Sequence, residues 1–236
     1  PNANYITPLV FMIVMGTVLL NATTARIMAV ITGVILKKSE GILIVGSSEP
    51  SRLIATYLKN NGRRVVLIDS NRNNISKAKE EGLEAIECDI YGDEIFENIE
   101  LNDIGFLLAL TGSNTINEYA LSKLKPSFGE EGAYRLISGE EMRDPNNNPE
   151  DGLFSQTDDF INISEVVRDY PIINEVTIKS NEHYQQIMEA TMDEIKTVPV
   201  FVKDLDNEIH MIPANHKLLK VEEGYKLMYI GKKLKI

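Results

Sequence analysis

Residues 41–70, GILIVGSSEPSRLIATYLKNNGRRVVLIDS, constrain the fold more than any other stretch. Gly41-Ile42-Leu43-Ile44-Val45 is a continuous apolar run, the pattern of a parallel strand covered on both faces. Gly46 to Ser51 follow as a turn, and Pro50 suits the first turn of a helix, where its missing N–H costs nothing. Leu53, Ile54, Tyr57 and Leu58 then recur at helical spacing until Asn60-Asn61-Gly62 stops the helix. Val65-Val66-Leu67-Ile68 is a second buried run, with Asp69 at its carboxyl end. Strand, helix and strand make a βαβ unit, which commits this part of the chain to a parallel α/β sheet.

The same unit has a chemical use. A helix N-terminus presents unpaired N–H groups and a partial positive charge, where a phosphate can dock. A carboxylate about 20 residues further on can accept hydrogen bonds from ribose hydroxyls, and Asp69 lies 23 residues after Gly46. Of the G-x-G-x-x-G fingerprint only Gly46 survives, since Ser48 and Ser51 occupy the other two places. Their hydroxyls can bond phosphate, but their side chains prevent the closest backbone approach to a pyrophosphate. The alternative is a βαβ half that binds nothing.

The first forty residues are a different material. No charged residue precedes Arg26, and Ile6 to Leu20 is almost wholly apolar. A helix over Ile6–Thr24 would be about 28 Å long, close to the hydrocarbon thickness of a bilayer. Arg26, Lys37 and Lys38 follow it, which puts residues after about 37 on the cytoplasmic side. A secretory signal would need positive charges ahead of the apolar run. A buried core helix would be apolar on one face rather than all round. Asn21-Ala22-Thr23-Thr24-Ala25-Arg26 is unusual for lipid, and its polar groups are expected to need neighbouring helices or a watery path. Residues 27–36 are apolar again, suited to the membrane surface or to completing the span.

Net charge argues against nucleic acid as a partner: at −11 the chain would repel phosphate backbones. The single cysteine, Cys88, excludes an intrachain disulfide and reads as an inert core residue. His183, His210 and His216 share no metal-ligand spacing. The start at Pro1, without methionine, reads as a piece of a longer protein.

Gly16-Thr17-Val18-Leu19-Leu20-Asn21-Ala22-Thr23-Thr24-Ala25-Arg26 resembles the last transmembrane helix of monovalent cation:proton antiporters of the sodium/hydrogen exchanger type. In some bacterial members that helix leads into a cytoplasmic TrkA-N, or RCK, nucleotide-binding domain, and residues 41 to about 138 resemble that domain. Residues 74–81 read as a helix, Leu83 to Cys88 as a third strand, residues 94–99 as a helix and Ile104 to Leu110 as a fourth strand. The resemblance implies that Asp89 and Ile90 border the adenosine. Thr111 to Asn117 resembles the family's turn after its fourth strand, leading into a helix Glu118–Lys125, with Tyr134 to Ile137 as a fifth strand. Ligands of open α/β sheets sit outside the carboxyl ends of the strands, so Gly46, Asp69, Asp89 and Thr111 are expected to converge. The candidate binding set is Gly46, Ser47, Ser48, Glu49, Ser51, Asp69, Ser70, Asp89, Ile90, Thr111, Gly112 and Asn114. The implied ligand is NAD(H) or an adenine nucleotide (AMP, ADP or ATP).

Other motifs are discounted. Tyr119-x-x-x-Lys123 matches a dehydrogenase pair but falls one strand early, and its plain reading is a helix with Tyr119 inward and Lys123 solvated. Asp144-x-Asn146-x-Asn148 starts like a calcium loop, yet Pro149 and Ser155 replace the required glycine and glutamate. Residues 140–151 read as a linker. Beyond them Asn174 to Lys179 alternates like a half-buried strand, and His183 to Ile195 reads as an amphipathic helix with Ile187, Met188, Met192 and Ile195 inward. Val198 to Lys203 and Glu208 to Ile212 form a hairpin, with further strands at Leu218–Val221 and Lys226–Ile230.

The expected organisation is a transmembrane helix and membrane-proximal segment (1–38), a Rossmann-like TrkA-N domain (39–140), a linker (141–173) and a small α+β module (174–236). The resemblance implies a non-enzymatic regulatory domain attached to a membrane-embedded antiporter domain of the same polypeptide, in a bacterial inner membrane and as a homodimer. A potassium-transport regulator or gating domain is the first alternative. An NAD-dependent oxidoreductase is the second, and it lacks a convincing acid/base residue.

Overall fold

A computed structural model describes residues 3–31, 39–92, 103–144, 149–155, 158–193 and 196–234. The chain forms two units, Pro1–Lys38 and Ser39–Ile236. The first holds helix α1 (Ala3–Ile31), longer at both ends than the expected Ile6–Thr24. Its stretch Ile6–Ala25 has mean hydropathy 1.9 and no buried residue, so α1 has the length and composition to cross a membrane. Thr17, Thr23 and Thr24 of this helix bond back to its own backbone. Thr17 Oγ1 donates to the carbonyl of Ile13 at 3.0 Å, Thr23 Oγ1 to Leu19 at 2.8 Å, and Thr24 Oγ1 to Leu20. Hydroxyls bonded back to their own helix are satisfied without a partner from elsewhere.

The second unit is built on a parallel sheet. Its strands are β1 (Gly41–Val45), β2 (Val65–Asp69), β3 (Glu84–Glu87), β4 (Ile104–Ala109), β5 (Gly132–Leu136) and β6 (Gly152–Leu153), in the order β3-β2-β1-β4-β5-β6. Each apolar run lies as its pattern requires. Ile42 and Ile44 of β1 face one core with Ile54, Ala55 and Leu58 of α2 (Glu49–Asn60) and Ile75 and Ala78 of α3 (Arg72–Glu80). Leu43 and Val45 face the other, with Ala120, Leu121, Leu124 and Phe128 of α4 (Asn114–Phe128). The expected helix over residues 94–99 lies outside the described residues.

Among the described residues of 141–173, read as a linker, there is secondary structure. Helix α5 (Gly139–Arg143) opens on a capping box between Ser138 and Glu141. The sheet then gains β6, and α6 (Phe160–Asp169) buries Ile163, Val166 and Val167 in the α2 core. Sequence pattern hides these elements because β6 is two residues long and α6 follows a polar stretch.

The C-terminal part is an antiparallel sheet of β7 (Ile173–Thr177), β8 (Thr197–Lys203), β9 (Ile209–Met211) and β10 (Lys226–Gly231), ordered β7-β10-β8-β9, with helix α7 (Asn181–Asp193). Val198, Val200, Phe201, Met228 and Ile230 join the core of α2 and α6. Val202, Leu227 and Ile212 pack with Tyr184, Ile187 and Met188 of α7 in a second core. Met192's side chain and Ile195 lie outside the described residues. The expected strand at Leu218–Val221 is absent: His216–Leu218 forms a 3-10 turn, and Leu219 and Val221 reach the second core from irregular backbone.

Candidate functional site

Strand order reverses at β1, which lies between β2 and β4, and a crevice of about 230 Å³ opens at the carboxyl ends of these strands. Such a reversal is where open α/β sheets hold ligands. Val45, Gly46 and Ser48 line it from β1; Ile68, Asp69, Ser70 and Asn74 from β2 and α3; Cys88 to Tyr91 from β3; Leu110, Thr111, Gly112 and Ile116 from β4 and α4; and Phe160 from α6.

The turn after β1 is tightly determined. Gly46 has φ +98°, and a Cβ there would stand 3.0 Å from Thr111 Cγ2 and 3.1 Å from the Leu110 oxygen. Glycine is therefore required both for conformation and for space. Ser47 is buried; its N–H donates to Asp69 Oδ2 at 2.8 Å and its carbonyl accepts from Arg52 Nη1 at 2.9 Å. Arg52 is itself buried and held by Glu81 at 2.9 Å. Ser48 takes the N-cap position of α2 without a side-chain cap bond; its hydroxyl pairs with that of Ser51 at 2.9 Å. Ser51 is buried, 3.5 Å from the Leu110 carbonyl. The two serines of the altered fingerprint thus bond each other.

The two carboxylates at the strand ends differ. Asp69 Oδ2 accepts from Ser47 N–H and from Asn74 Nδ2 at 3.0 Å, and Oδ1 from Asn71 N–H at 2.8 Å. Its role is first to brace the turn, leaving little of the carboxylate for a ribose. Asp89 is exposed and its Oδ1 accepts from the N–H of Tyr91 at 3.0 Å, so it keeps more acceptor capacity for sugar hydroxyls.

Across the crevice, Asn117 clamps Thr111. Asn117 Oδ1 accepts from Thr111 N–H at 3.0 Å and Oγ1 at 2.7 Å, while Nδ2 donates to the Thr111 carbonyl at 3.0 Å. Helix α4 begins at Asn114, with Ser113 Oγ accepting from Ile116 N–H at 3.4 Å. Residues 114–117 therefore belong to the helix rather than to the expected turn. Gly112 leaves room for Phe160: a Cβ there would lie 3.0 Å from the ring. Phe160 is delivered because Asp159 caps α6, accepting from the N–H groups of Ile161 and Asn162 at 3.0 and 2.9 Å.

Eight of the candidate residues line the crevice: Gly46, Ser48, Asp69, Ser70, Asp89, Ile90, Thr111 and Gly112. Four do not. Ser47 and Ser51 are consumed inside the turn, Glu49 is an exposed residue of α2, and Asn114 accepts from Arg135 Nη1 at 3.2 Å and donates to Glu118 at 3.0 Å. Asn74, Tyr91, Ile116 and Phe160 were not singled out from sequence; for Tyr91, its place two residues after Asp89 was the available signal.

Lys123 is not solvated as expected. Its Nζ donates to the carbonyls of Ile90, Tyr91 and Gly92 at 3.2, 3.3 and 2.6 Å and sits 5.9 Å from the Tyr119 ring centroid. Among the described residues no cluster of His, Cys, Asp and Glu suited to a metal occurs.

An open parallel sheet with its crevice at the reversal of strand order is a Rossmann-like domain. Residues 42–138 match the TrkA-N domain family. No curated protein matches the chain. Among solved structures it is similar to the NAD(P)-binding domain of an exopolyphosphatase-related protein from Archaeoglobus fulgidus, with 22% identity and TM-score 0.35 over 43% of this chain and 77% of that one. It is similar also to the TrkA-N domain of inner membrane protein ybaL from Escherichia coli, with 18% identity and TM-score 0.34 over 45% and 80%. The GsuK RCK domain gives 10% identity and TM-score 0.41 over 84% and 45%.

Proposed function

We propose that the crevice binds an adenine nucleotide or NAD(H) and that Ser39–Ile236 is a regulatory unit rather than an enzyme. The observation that carries this is the meeting of Gly46, Asp69, Asp89 and Thr111 at one crevice within the residues that match the TrkA-N domain family. Lys123 supports the absence of dehydrogenase chemistry at Tyr119, because its ammonium is engaged by backbone carbonyls. In full, the reading is a cytoplasmic nucleotide-sensing domain of a bacterial inner-membrane cation:proton antiporter, homodimeric, with α1 as the final span of an antiporter domain in the same polypeptide. The apolar, outward-facing residues of Ile6–Ala25 support the membrane assignment.

Regulation would require the ligand to favour one of two conformations by differential affinity. Helix α2 offers a path, since its N-terminus follows the Gly46 turn and its far end meets the antiparallel sheet. Tyr57 stacks on Phe201 with ring centroids 6.0 Å apart, its hydroxyl bonds Glu175 at 3.0 Å, and Asn61 accepts from Lys203 at 3.1 Å.

Calorimetry on the 236-residue chain in detergent, with AMP, ADP, ATP, NAD and NADH, tests the binding claim. Saturable binding by at least one, weakened in Asp89→Ala, is expected; no binding by any of the five contradicts it. Nucleotide-dependent cation/proton exchange, measured with a pH dye in vesicles of the whole polypeptide, tests the coupling. Exchange unchanged by a bound nucleotide would refute it.

A further inference from the structure

We propose that Tyr91 is the base-stacking residue of this crevice, so that the site selects its ligand by an aromatic base, as in a purine nucleoside, more than by its phosphates. The proposal rests on the nucleotide reading above and adds to it which part of the ligand is read. Tyr91 lines the crevice yet keeps 54% of its surface exposed. Its position is imposed from two sides. The Tyr119 ring lies 4.6 Å away, centroid to centroid, at 41°. Lys123 gathers the carbonyls of Ile90, Tyr91 and Gly92 around one ammonium, while Asp89 Oδ1 accepts the Tyr91 N–H. A positioned ring with Ile90, Ile116 and Phe160 around the same crevice offers a base a π face and apolar walls.

The opposite end is poor for phosphate. Ser47 N–H is spent on Asp69, and the Ser48 and Ser51 hydroxyls bond each other. Pro50 has no N–H to give, and Glu49, an exposed acidic residue in the first turn of α2, disfavours an anion at that helix N-terminus. Lys123 is a positioning residue in this scheme: it holds the backbone that carries the ring.

The test uses the 236-residue chain in detergent with adenosine, AMP and ribose 5-phosphate. The chain has no tryptophan, so Tyr91→Trp creates a single reporter. Adenosine and AMP are expected to quench its fluorescence and ribose 5-phosphate to leave it unchanged. Tyr91→Ala is expected to weaken AMP binding about 5- to 150-fold, while Tyr91→Phe stays within about 3-fold of wild type. Adding Lys123→Met to the reporter should lower the quench at saturating AMP, a readout that loss of stability alone does not move. AMP affinity within about 2-fold of wild type in Tyr91→Ala overturns the stacking role and leaves the nucleotide reading intact. Ribose 5-phosphate binding as tightly as AMP overturns it in the same way. A wild-type chain that binds neither adenosine nor AMP overturns the stacking proposal, and the nucleotide reading falls with it only if ADP, ATP, NAD and NADH fail to bind as well.

Discussion

The two sheets of Ser39–Ile236 achieve burial in different ways. In the parallel sheet β1 is buried along its whole length and β2 at all but its last residue, because helices cover both faces. In the antiparallel sheet the edge strand β7 is nowhere fully buried, while β8 is buried from Thr197 to Val202. One face of β8 meets α7 and the other meets α2 and α6. The second sheet is thus completed by the first, and the contrast teaches where a signal could pass. A helix that starts at the crevice ends on a strand whose face it covers together with α6.

Phe201→Ala strikes this shared core hardest. Phe201 is fully buried, stacked on Tyr57 and edge-on to Phe154 at 6.4 Å, and its truncation should cost about 3–5 kcal/mol. Urea unfolding followed by circular dichroism should show one transition moved to lower denaturant. Two separated transitions would mean that the sheets are independent.

Arg135 tests the parallel sheet alone. Its guanidinium, 7% exposed, is bound by Glu141 at 2.6 Å and Asp151 at 3.4 Å. Arg135→Met should destabilise by about 3 kcal/mol, at the low end for a broken buried pair because the carboxylates keep some water. The hydrogen bond from Arg135 holds Glu141 down at about 2, against its usual 4.5. A lowered carboxylate contributes stability that is complete above pH 4.5 and is lost as pH falls towards 2. Arg135→Met should flatten the unfolding free energy over that window, and an unchanged slope would refute the pairing.

Gly46→Ala probes the crevice turn and should cost about 2 kcal/mol, from the positive φ and the approach to Thr111. Weakened nucleotide binding should accompany it. The smallest effect is expected of Tyr57→Phe. That variant keeps the stacking on Phe201 and loses only the half-buried hydroxyl's bond to Glu175, about 1 kcal/mol. Burial, with Glu175 alongside, raises the Tyr57 pKa, so stability should fall at strongly alkaline pH in the wild type and less steeply in Tyr57→Phe. A full-sized loss in Tyr57→Phe would show that the polar contact, rather than the ring, joins the sheets.

How much was legible in sequence follows from the same contrast. Strands β1, β2 and β4 were readable because burial on both faces leaves an uninterrupted apolar run. The crevice residues at the ends of those strands were readable with them. Phe160 was not, because only the docking of α6 on α2 brings it over Gly112. Ser47, Ser51 and Asn114 do not line the crevice because protein groups take their hydrogen bonds, and residue type alone does not show which partner a hydroxyl or amide will meet. Lys123 failed through helical periodicity, which gives a face but not the loop that comes to meet it.

Hydrogen exchange on the 236-residue chain in detergent, with and without saturating AMP or NAD, tests the central claim most directly. Slowed exchange is expected at residues 46–51 and 89–92, with a smaller change at 197–203 where α2 meets β8. Exchange unaltered throughout 41–116 by any adenine nucleotide would contradict the account, and slowing confined to the crevice would remove its coupling to the second sheet.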